Sequence, residues 1–506
     1  MIEEHNSLAE KFIKKGIWLY IFSYIIAPMG YIVKIVVSQE LSVSEVGVLY
    51  GIISLISMVT AYNDLGMSES INHFVPEYIQ QKRYDKVKTI IAYAFLAQII
   101  TGISIALFFF FGADFLASHY FKSSVAKEIM QIFALYFLGI NIFEVIATFF
   151  MAIQNTFYNK IMDLWRMGVL VLFTLFLFFT GKGTIISYSY AWIVGLFIGI
   201  FVAIFLFYKH YFKNYLRGEK IIWSKEMFYP IFKYALLVFL GAQAGTLLGQ
   251  IDMQMIIYML GTKDAGYYTN YLSIISIPFM IIGPIFALLF PVFSELHSKK
   301  QYDKINSIKT LFNKNFLSIG IAFNILFFVF AEKIAFILFG EKYIMSGVIL
   351  KYSILLLTFN YLLQVNFNIM AGIGKVKERI HIILIAVIIN IITNYILIKM
   401  LGVAGSSLAT GIGWFVIRIL SEIKLGKDFK SKFDFIFLTK NILFLSLLGG
   451  GIYFYIHPFL QNLGRLDSLF FVTIISIIYF CIFGFFNYKE FSLFMKELNN
   501  IRKLKN

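Results

Sequence analysis

The chain has 506 residues, 59% hydrophobic and 14% charged, with a mean hydropathy of +0.79. Soluble globular chains are roughly half apolar and about a quarter charged, so this composition excludes an ordinary soluble enzyme and points to an all-α polytopic membrane protein. The formal net charge of +16 gathers in one set of loops, which argues against a nucleic-acid partner, and the single Cys481 excludes a disulfide framework or a cysteine metal cluster within one chain.

Taken in order, Glu3, Glu4 and Lys11 precede the first apolar run without a small-residue cleavage site, which predicts an uncleaved first helix. Runs long enough to span a bilayer, about 20 residues each, occur at 14–37, 46–68, 89–111, 128–153, 163–180, 185–208, 229–259, 268–293, 312–331, 347–371, 379–400, 403–421, 439–457 and 468–487. No connection between these fourteen spans is large enough for an independent soluble domain. With the N-terminus and every second loop assigned to one side, that side carries 32 Lys and Arg and the other carries 8, with Lys34, Lys233, Lys351 and Arg418 left inside spans. The asymmetry predicts an even number of helices, both termini cytoplasmic, and residence in the cell (inner or plasma) membrane.

An internal repeat runs through the first twelve spans. Gly47-Val48-Leu49-Tyr50 parallels Gly266-Tyr267-Tyr268-Thr269, and Tyr84-Asp85-Lys86 parallels Tyr302-Asp303-Lys304. Phe150-Met151-Ala152-Ile153 parallels Ile369-Met370-Ala371-Gly372. Two parallel six-helix repeats are expected, at 1–210 and 211–426, forming two lobes around a central cleft, with an extra helix pair and basic tail at 427–506.

Ionisable groups inside a membrane are costly and therefore functional candidates. Glu144 lies mid-span with Asn141 one turn before it, and Asp252 follows the ladder Gly241, Gly245, Gly249. Lys34 falls one position from the repeat equivalent of Asp252, so the two repeats present opposite charges at matched depth. These charges suit either a cargo and ion-coupling site or a structural ion pair. Lys34, Lys351 and Arg418 also have the option of snorkelling to an interface. Gln250 suits either a polar cavity or interhelical hydrogen bonding. The residues assigned to the cleft are thus Lys34, Glu144, Lys351, Arg418 and Gln250, with Asp252 and Glu144 as ion-coupling sites for H+ or Na+.

Pro28 with Gly30, and Pro278 with Pro284, interrupt helical runs and mark hinges or static kinks. The polar cluster from Asn63 to Glu77, and its partial copy around Glu295, sit at the cytoplasmic edge, so Asp64, Glu69 and Glu295 are read as a cytoplasmic gate. No phosphate-binding GxxxxGK[ST], HExxH or GxSxG motif occurs, and no metal or organic cofactor is expected.

Asp64-Leu65-Gly66-Met67 followed by Phe74-Val75-Pro76-Glu77-Tyr78, with the lead-in Leu41 to Tyr50 and the later Gly402 to Thr410, resembles polysaccharide transporters of the multidrug/oligosaccharidyl-lipid/polysaccharide exporter superfamily. The resemblance implies a monomeric flippase, not an enzyme. It implies a polyprenyl-pyrophosphate-linked oligosaccharide of the O-antigen or capsule (lipopolysaccharide-type) class as cargo, with membrane lipids and polysaccharide polymerase or assembly proteins as partners. The alternatives within the superfamily are a lipid II-type flippase and a cation-coupled multidrug exporter. A membrane sugar polymerase or ligase is the alternative from another class, and it would need a large outer loop that this chain lacks.

Overall fold

A computed structural model describes residue 22 and residues 24–242, 244–426, 429, 431 and 434–503. Among these residues there is no strand, and eleven helices are long and apolar enough to cross a membrane. The expected spans at 14–37 and 229–259 fall on helices that include or adjoin residues outside the description, and the one at 268–293 falls within a single helix, Thr262–Ser298. The protein is an all-helical, multi-pass membrane protein.

Two compact units divide the chain, Met1–Gly266 and Tyr267–Asn506. The first contains α1 (24–40), α2 (Val43–Asn63), α3 (Met67–Gln80), α4 (Tyr84–Phe115), α5 (Val125–Ala152), α6 (Thr156–Phe179), α7 (Ile185–Phe207), α8 (Lys225–Ala242), α9 (Ala244–Met259) and the opening turn of α10 (Thr262–Ser298). The second contains the rest of α10, then α11 (Tyr302–Phe339), α12 (Ile344–Gly372), α13 (Val376–Leu401), α14 (Val403–Leu425), α15 (Phe435–Gly451), α16 (His457–Gln461), α17 (Arg465–Phe486) and α18 (Tyr488–Lys503). In sequence α8 and α9 open the second repeat, yet by contact they belong to the first unit.

Local chemistry explains where the helices begin. Ser42 and Glu45 form a reciprocal capping box at the head of α2. Thr184 and Ser187 do the same for α7, and Asn155 caps α6. The apolar run at 46–68 continues past Asn63, but the backbone does not. Leu65 and Gly66 both adopt left-handed conformations (φ 50° and 78°), and the chain restarts as α3. A β-carbon on Gly66 would lie 2.3 Å from the Ala235 carbonyl oxygen of α8, so glycine is required there by both conformation and space. The matching stretch of the second repeat contains Pro278 and Pro284, and α10 runs through both as one helix.

The repeat is also written in the turns. Lys82 and Lys300 have φ of 56° and 55°, Lys122 pairs with Gly340, Gln154 with Gly374, and Gly181 with Gly402, all in the left-handed region. In the second unit, α15 and α17 lie along α11. Leu445, Ile452, Val472, Tyr479 and Phe483 bury against Leu326, Val329 and Phe330. The Tyr479 hydroxyl donates to the Ala322 carbonyl at 3.0 Å.

Candidate membrane-embedded polar site

In the first unit, α5 and α6 carry charge at membrane depth. Both have lipid-facing stripes: Leu135 and Leu138 on α5, and Trp165, Leu172, Phe176 and Phe179 on α6. At about 100° per residue, Glu144 lies about 180° from Leu135, and Asp163 lies about 180° from Leu172. Glu144 is nonetheless exposed, and Asp163 and Arg166 are each 22% exposed. Glu144 and Asp163 therefore open onto accessible space opposite the apolar stripes, and Arg166 reaches Asp163 from the flank of α6. Arg166 donates through both Nε (3.1 Å) and Nη2 (2.6 Å) to one oxygen of Asp163. Tyr136, Asp163 and Glu144 all act electrostatically on Arg166, and Asp64 adds a further negative charge near Glu144.

Beside this cluster lies a buried amide chain. Asn63 Nδ2 donates to Asn141 Oδ1 at 2.5 Å, and Asn141 Nδ2 donates to the Gln98 carbonyl at 3.0 Å. A β-carbon on Gly102 would sit 2.1 Å from Asn141 Nδ2, so the absence of a side chain there makes room for the amide. Asn63 Oδ1 and Gln98 Nε2 are buried without a hydrogen-bond partner, so one acceptor and one donor of the amide chain stay unmet.

The remaining expected residues are dispersed. Lys34 is buried on α1 with its ammonium 3.3 Å from the centroid of the Tyr50 ring. Asp252 is buried on α9, where Gln250 is half-buried. Asp64 accepts the Gly66 and Ser68 backbone N–H groups, both at 2.9 Å, and so caps α3. Glu69 sits half-buried in the first turn of α3, where burial and then the Asp64 charge raise its pKa above the usual carboxylate value. Ser70 donates to the Ile231 carbonyl at 3.0 Å, and His73 stacks on Tyr234 at 4.4 Å, which holds α3 on α8. Pro28 is exposed on α1 and Gly30 half-exposed, while Glu295 near the end of α10 pairs with Lys299.

In the second unit the expected cations already have carboxylate partners. Lys351 on α12 bonds Glu332 on α11 at 2.5 Å. Arg418 on α14 bonds Glu422 at 3.0 Å and the Leu362 carbonyl at 3.3 Å. Glu422 also receives Lys309 Nζ at 2.6 Å and Asn366 Nδ2 at 3.0 Å, which ties α11, α12 and α14 together. Lys351 and Leu362 are eleven positions apart on α12, about 16 Å along its axis, so the expected cations do not converge. Among the described residues no group of three or more His, Cys, Asp or Glu is placed to hold a metal.

The family described as polysaccharide biosynthesis protein matches residues 12–297, more than half of the chain. The chain belongs to the polysaccharide biosynthesis protein family. The Asp64-Leu65-Gly66 and Phe74 to Tyr78 motifs both lie in the matched stretch. An uncharacterised membrane protein of Methanocaldococcus jannaschii, MJ1068, is 25% identical over 464 residues, covering 88% of this chain and 89% of that protein. The probable low-salt glycan biosynthesis flippase Agl15 of Haloferax volcanii is 23% identical over 214 residues, 40% of this chain and 43% of that protein. The lipid II flippase MurJ in its inward closed conformation matches with a TM-score of 0.72 and 16% identity, over 94% of this chain and 99% of that one. An inward-facing MATE multidrug transporter of the MOP superfamily matches at 0.66 and 16%, over 85% and 99%. These structural likenesses establish the fold that the polysaccharide biosynthesis protein adopts.

Within that fold, sequence reading overlooked Arg166, Asp163 and Tyr136. The apolar run of the sequence opens at 163, which puts Arg166 at a loop edge, whereas α6 opens at Thr156 and carries Arg166 ten residues into the helix. The signal that would have found them is Asn155, a helix-capping residue set before the apolar stretch.

Proposed function

We propose that this family member is a flippase that moves a polyprenyl-pyrophosphate-linked oligosaccharide, of the O-antigen or capsule repeat-unit class, from the cytoplasmic to the outer leaflet by alternating access. The observation that carries the reading is the Glu144, Asp163 and Arg166 cluster. It lies inside two membrane spans, sets its carboxylates opposite the apolar stripes and remains accessible. A sugar and pyrophosphate head group cannot cross hydrocarbon, because its polar groups would go unsatisfied. A polar opening inside a helix bundle supplies the alternative route. Family membership and the names of the Haloferax relative and the MurJ neighbour support this cargo class over a catalytic role.

The same reading sets both termini in the cytoplasm, the protein in the plasma membrane as a monomer, and glycan polymerase or assembly proteins as partners. Transport is coupled to H+ or Na+ through Glu144 or Asp252. One observation favours a second reading: Asp163 and Glu144 both act on the single Arg166, and Asp64 acts on Glu144, so carboxylates outnumber the cation, which suits a cationic guest and hence a cation-coupled multidrug exporter.

The deciding experiment reconstitutes the full chain in vesicles with a fluorescent polyprenyl-pyrophosphate oligosaccharide and follows leaflet exchange. Faster exchange than in protein-free vesicles supports the flippase. Exchange equal to the protein-free rate, together with uptake of a fluorescent organic cation, supports the exporter. Flipping by Glu144→Gln and Asp252→Asn with unaltered pH and sodium dependence would remove the coupling assignment.

A further inference from the structure

Helix α18 begins at Tyr488, two positions after α17 ends at Phe486, so it starts where the last span leaves the hydrocarbon. Its inner side is fixed to the protein. Phe494 is buried edge-on to Phe312 at 4.9 Å, and Phe491 meets Phe483 at 5.4 Å. Glu490 pairs with Lys314 at 2.9 Å, which also holds Asp434 at 3.0 Å.

The outer side has a different character. Tyr488, Leu493 and Met495 are 70%, 53% and 55% exposed, and Lys489 and Lys496 are exposed among them. No carboxylate lies among the exposed described residues of α18. The sequence beyond adds Arg502, Lys503 and Lys505 against Glu497. Just before the helix, Phe485 and Phe486 are 86% and 46% exposed. A helix facing bulk water would not keep three large apolar side chains on its outer face, and a buried span would not keep two unpaired-face lysines. Apolar side chains interleaved with lysines suit the headgroup boundary, where the apolar bodies enter the acyl edge and the ammonium groups snorkel to phosphate.

We propose that α18 lies in the plane of the membrane and that its outer face binds the headgroups of anionic phospholipids, with Lys489 and Lys496 as the phosphate contacts and Leu493 at the acyl boundary. The charged side chains on the exposed described face are basic only, and anionic leaflets attract such segments. This inference is independent of the cargo.

The test uses the full chain with Cys481→Ser and Leu493→Cys, the new thiol carrying a fluorophore. It is reconstituted in vesicles of neutral phosphatidylcholine or of phosphatidylcholine mixed with phosphatidylglycerol, each containing a spin-labelled acyl chain as quencher. Quenching should be stronger in the anionic vesicles, should fall as salt is raised, and should weaken by roughly five-fold in apparent partitioning for each of Lys489→Gln and Lys496→Gln, from about 1 kcal/mol per basic residue. Equal quenching in both vesicle types, no quenching in either, or no effect of the lysine variants would each overturn the proposal. The native Cys481, exposed on α17, labelled in place of Leu493, is the insertion control and should be quenched in both lipids. If a lysine variant fails that control, the salt dependence of the parent Leu493→Cys protein measures the same electrostatic contribution.

Discussion

Gly47 on α2 and Gly266 on α10 are equivalent positions of the repeat, and each abuts the backbone of the other's helix. A β-carbon on Gly47 would lie 1.7 Å from the Thr262 carbonyl oxygen, and one on Gly266 would lie 2.0 Å from the Val43 carbonyl oxygen. Ser44 Oγ and Thr262 Oγ1 share a hydrogen bond of 2.6 Å at the same crossing. The obstacle on both sides is backbone, which cannot rotate away as a side chain can. Gly47→Ala or Gly266→Ala should therefore destabilise the protein by about 2 kcal/mol, within the range for overpacking. Gly245→Ala on α9, with nothing within 4 Å of its added carbon, should stay within about 0.5 kcal/mol. Thermal unfolding in detergent measures all three. Similar midpoints for Gly47→Ala and Gly245→Ala would contradict the crossing.

Glu422 is the carboxylate on which Lys309, Arg418 and Asn366 converge. The Lys309 side chain is 0% exposed, so losing its counter-charge leaves a buried cation without compensation. Glu422→Gln should destabilise by about 3 kcal/mol, while replacing Lys309 as well, as in Lys309→Met with Glu422→Leu, should recover the share owed to the buried Lys309 and leave only the share owed to Arg418. A double variant as unstable as Glu422→Gln alone would show that packing, not charge, holds α11 to α14.

How much of this was legible in sequence depends on what each feature needed. The repeat was readable because it leaves the same residues at a nearly constant offset, and its turns then return the same left-handed backbone at Lys82 and Lys300. Spans were readable because hydrocarbon thickness fixes their length. The pairing of Lys351 with Glu332 was not, because counting charges by depth says nothing about which neighbouring helix supplies a counter-charge, whereas Arg418 and Glu422 stand four positions apart on one helix, a spacing the sequence does display. Nor did repeat boundaries reveal that α8 and α9 pack with the first unit, since equivalence in sequence is not contact in space.

Arg166 is the charge on which the candidate site turns. Arg166→Gln should lower the rate of flipping at least about ten-fold, equivalent to about 1.4 kcal/mol, whereas Arg166→Lys should retain part of it, because the charge survives but the planar fork on Asp163 does not. The readout is leaflet exchange of the fluorescent lipid-linked sugar at matched protein incorporation. Full activity in Arg166→Gln would move the site elsewhere.

Two carboxylates outside the spans should respond to pH with opposite signs. The Asp434 carboxyl lies below its ordinary value because it accepts the Phe437 N–H, with Lys314 adding to the effect. Its stabilising contribution is therefore present above the unfolded value of about 3.9 and is lost as pH falls through the lower folded value. Glu69 is raised by burial and by Asp64, so its ionised form destabilises the fold at neutral pH, and that penalty disappears as pH drops towards the unfolded value of about 4.3. Glu69→Gln should thus raise the unfolding midpoint at neutral pH and have no effect near pH 4. Asp434→Asn should lower the midpoint at neutral pH and converge with the parent protein in stronger acid. A pH-independent difference for either variant would contradict its assignment.

Asp64 has a local structural role that can be separated from any part in gating. Its two carboxylate oxygens accept the Gly66 and Ser68 N–H groups at the head of α3, and the helix dipole favours the negative charge there. Asp64→Ala should cost about 1 kcal/mol, and Asp64→Asn much less, because asparagine caps nearly as well. Gly66→Ala should be worse than either. It combines a left-handed φ of 78° with a β-carbon 2.3 Å from the Ala235 carbonyl oxygen, and left-handed strain alone is of order 1 kcal/mol or more. If Asp64→Asn keeps stability but stops flipping, the carboxylate charge acts in transport. If it keeps both, the motif serves to bend the end of α2 into α3 and to seat α3 on α8.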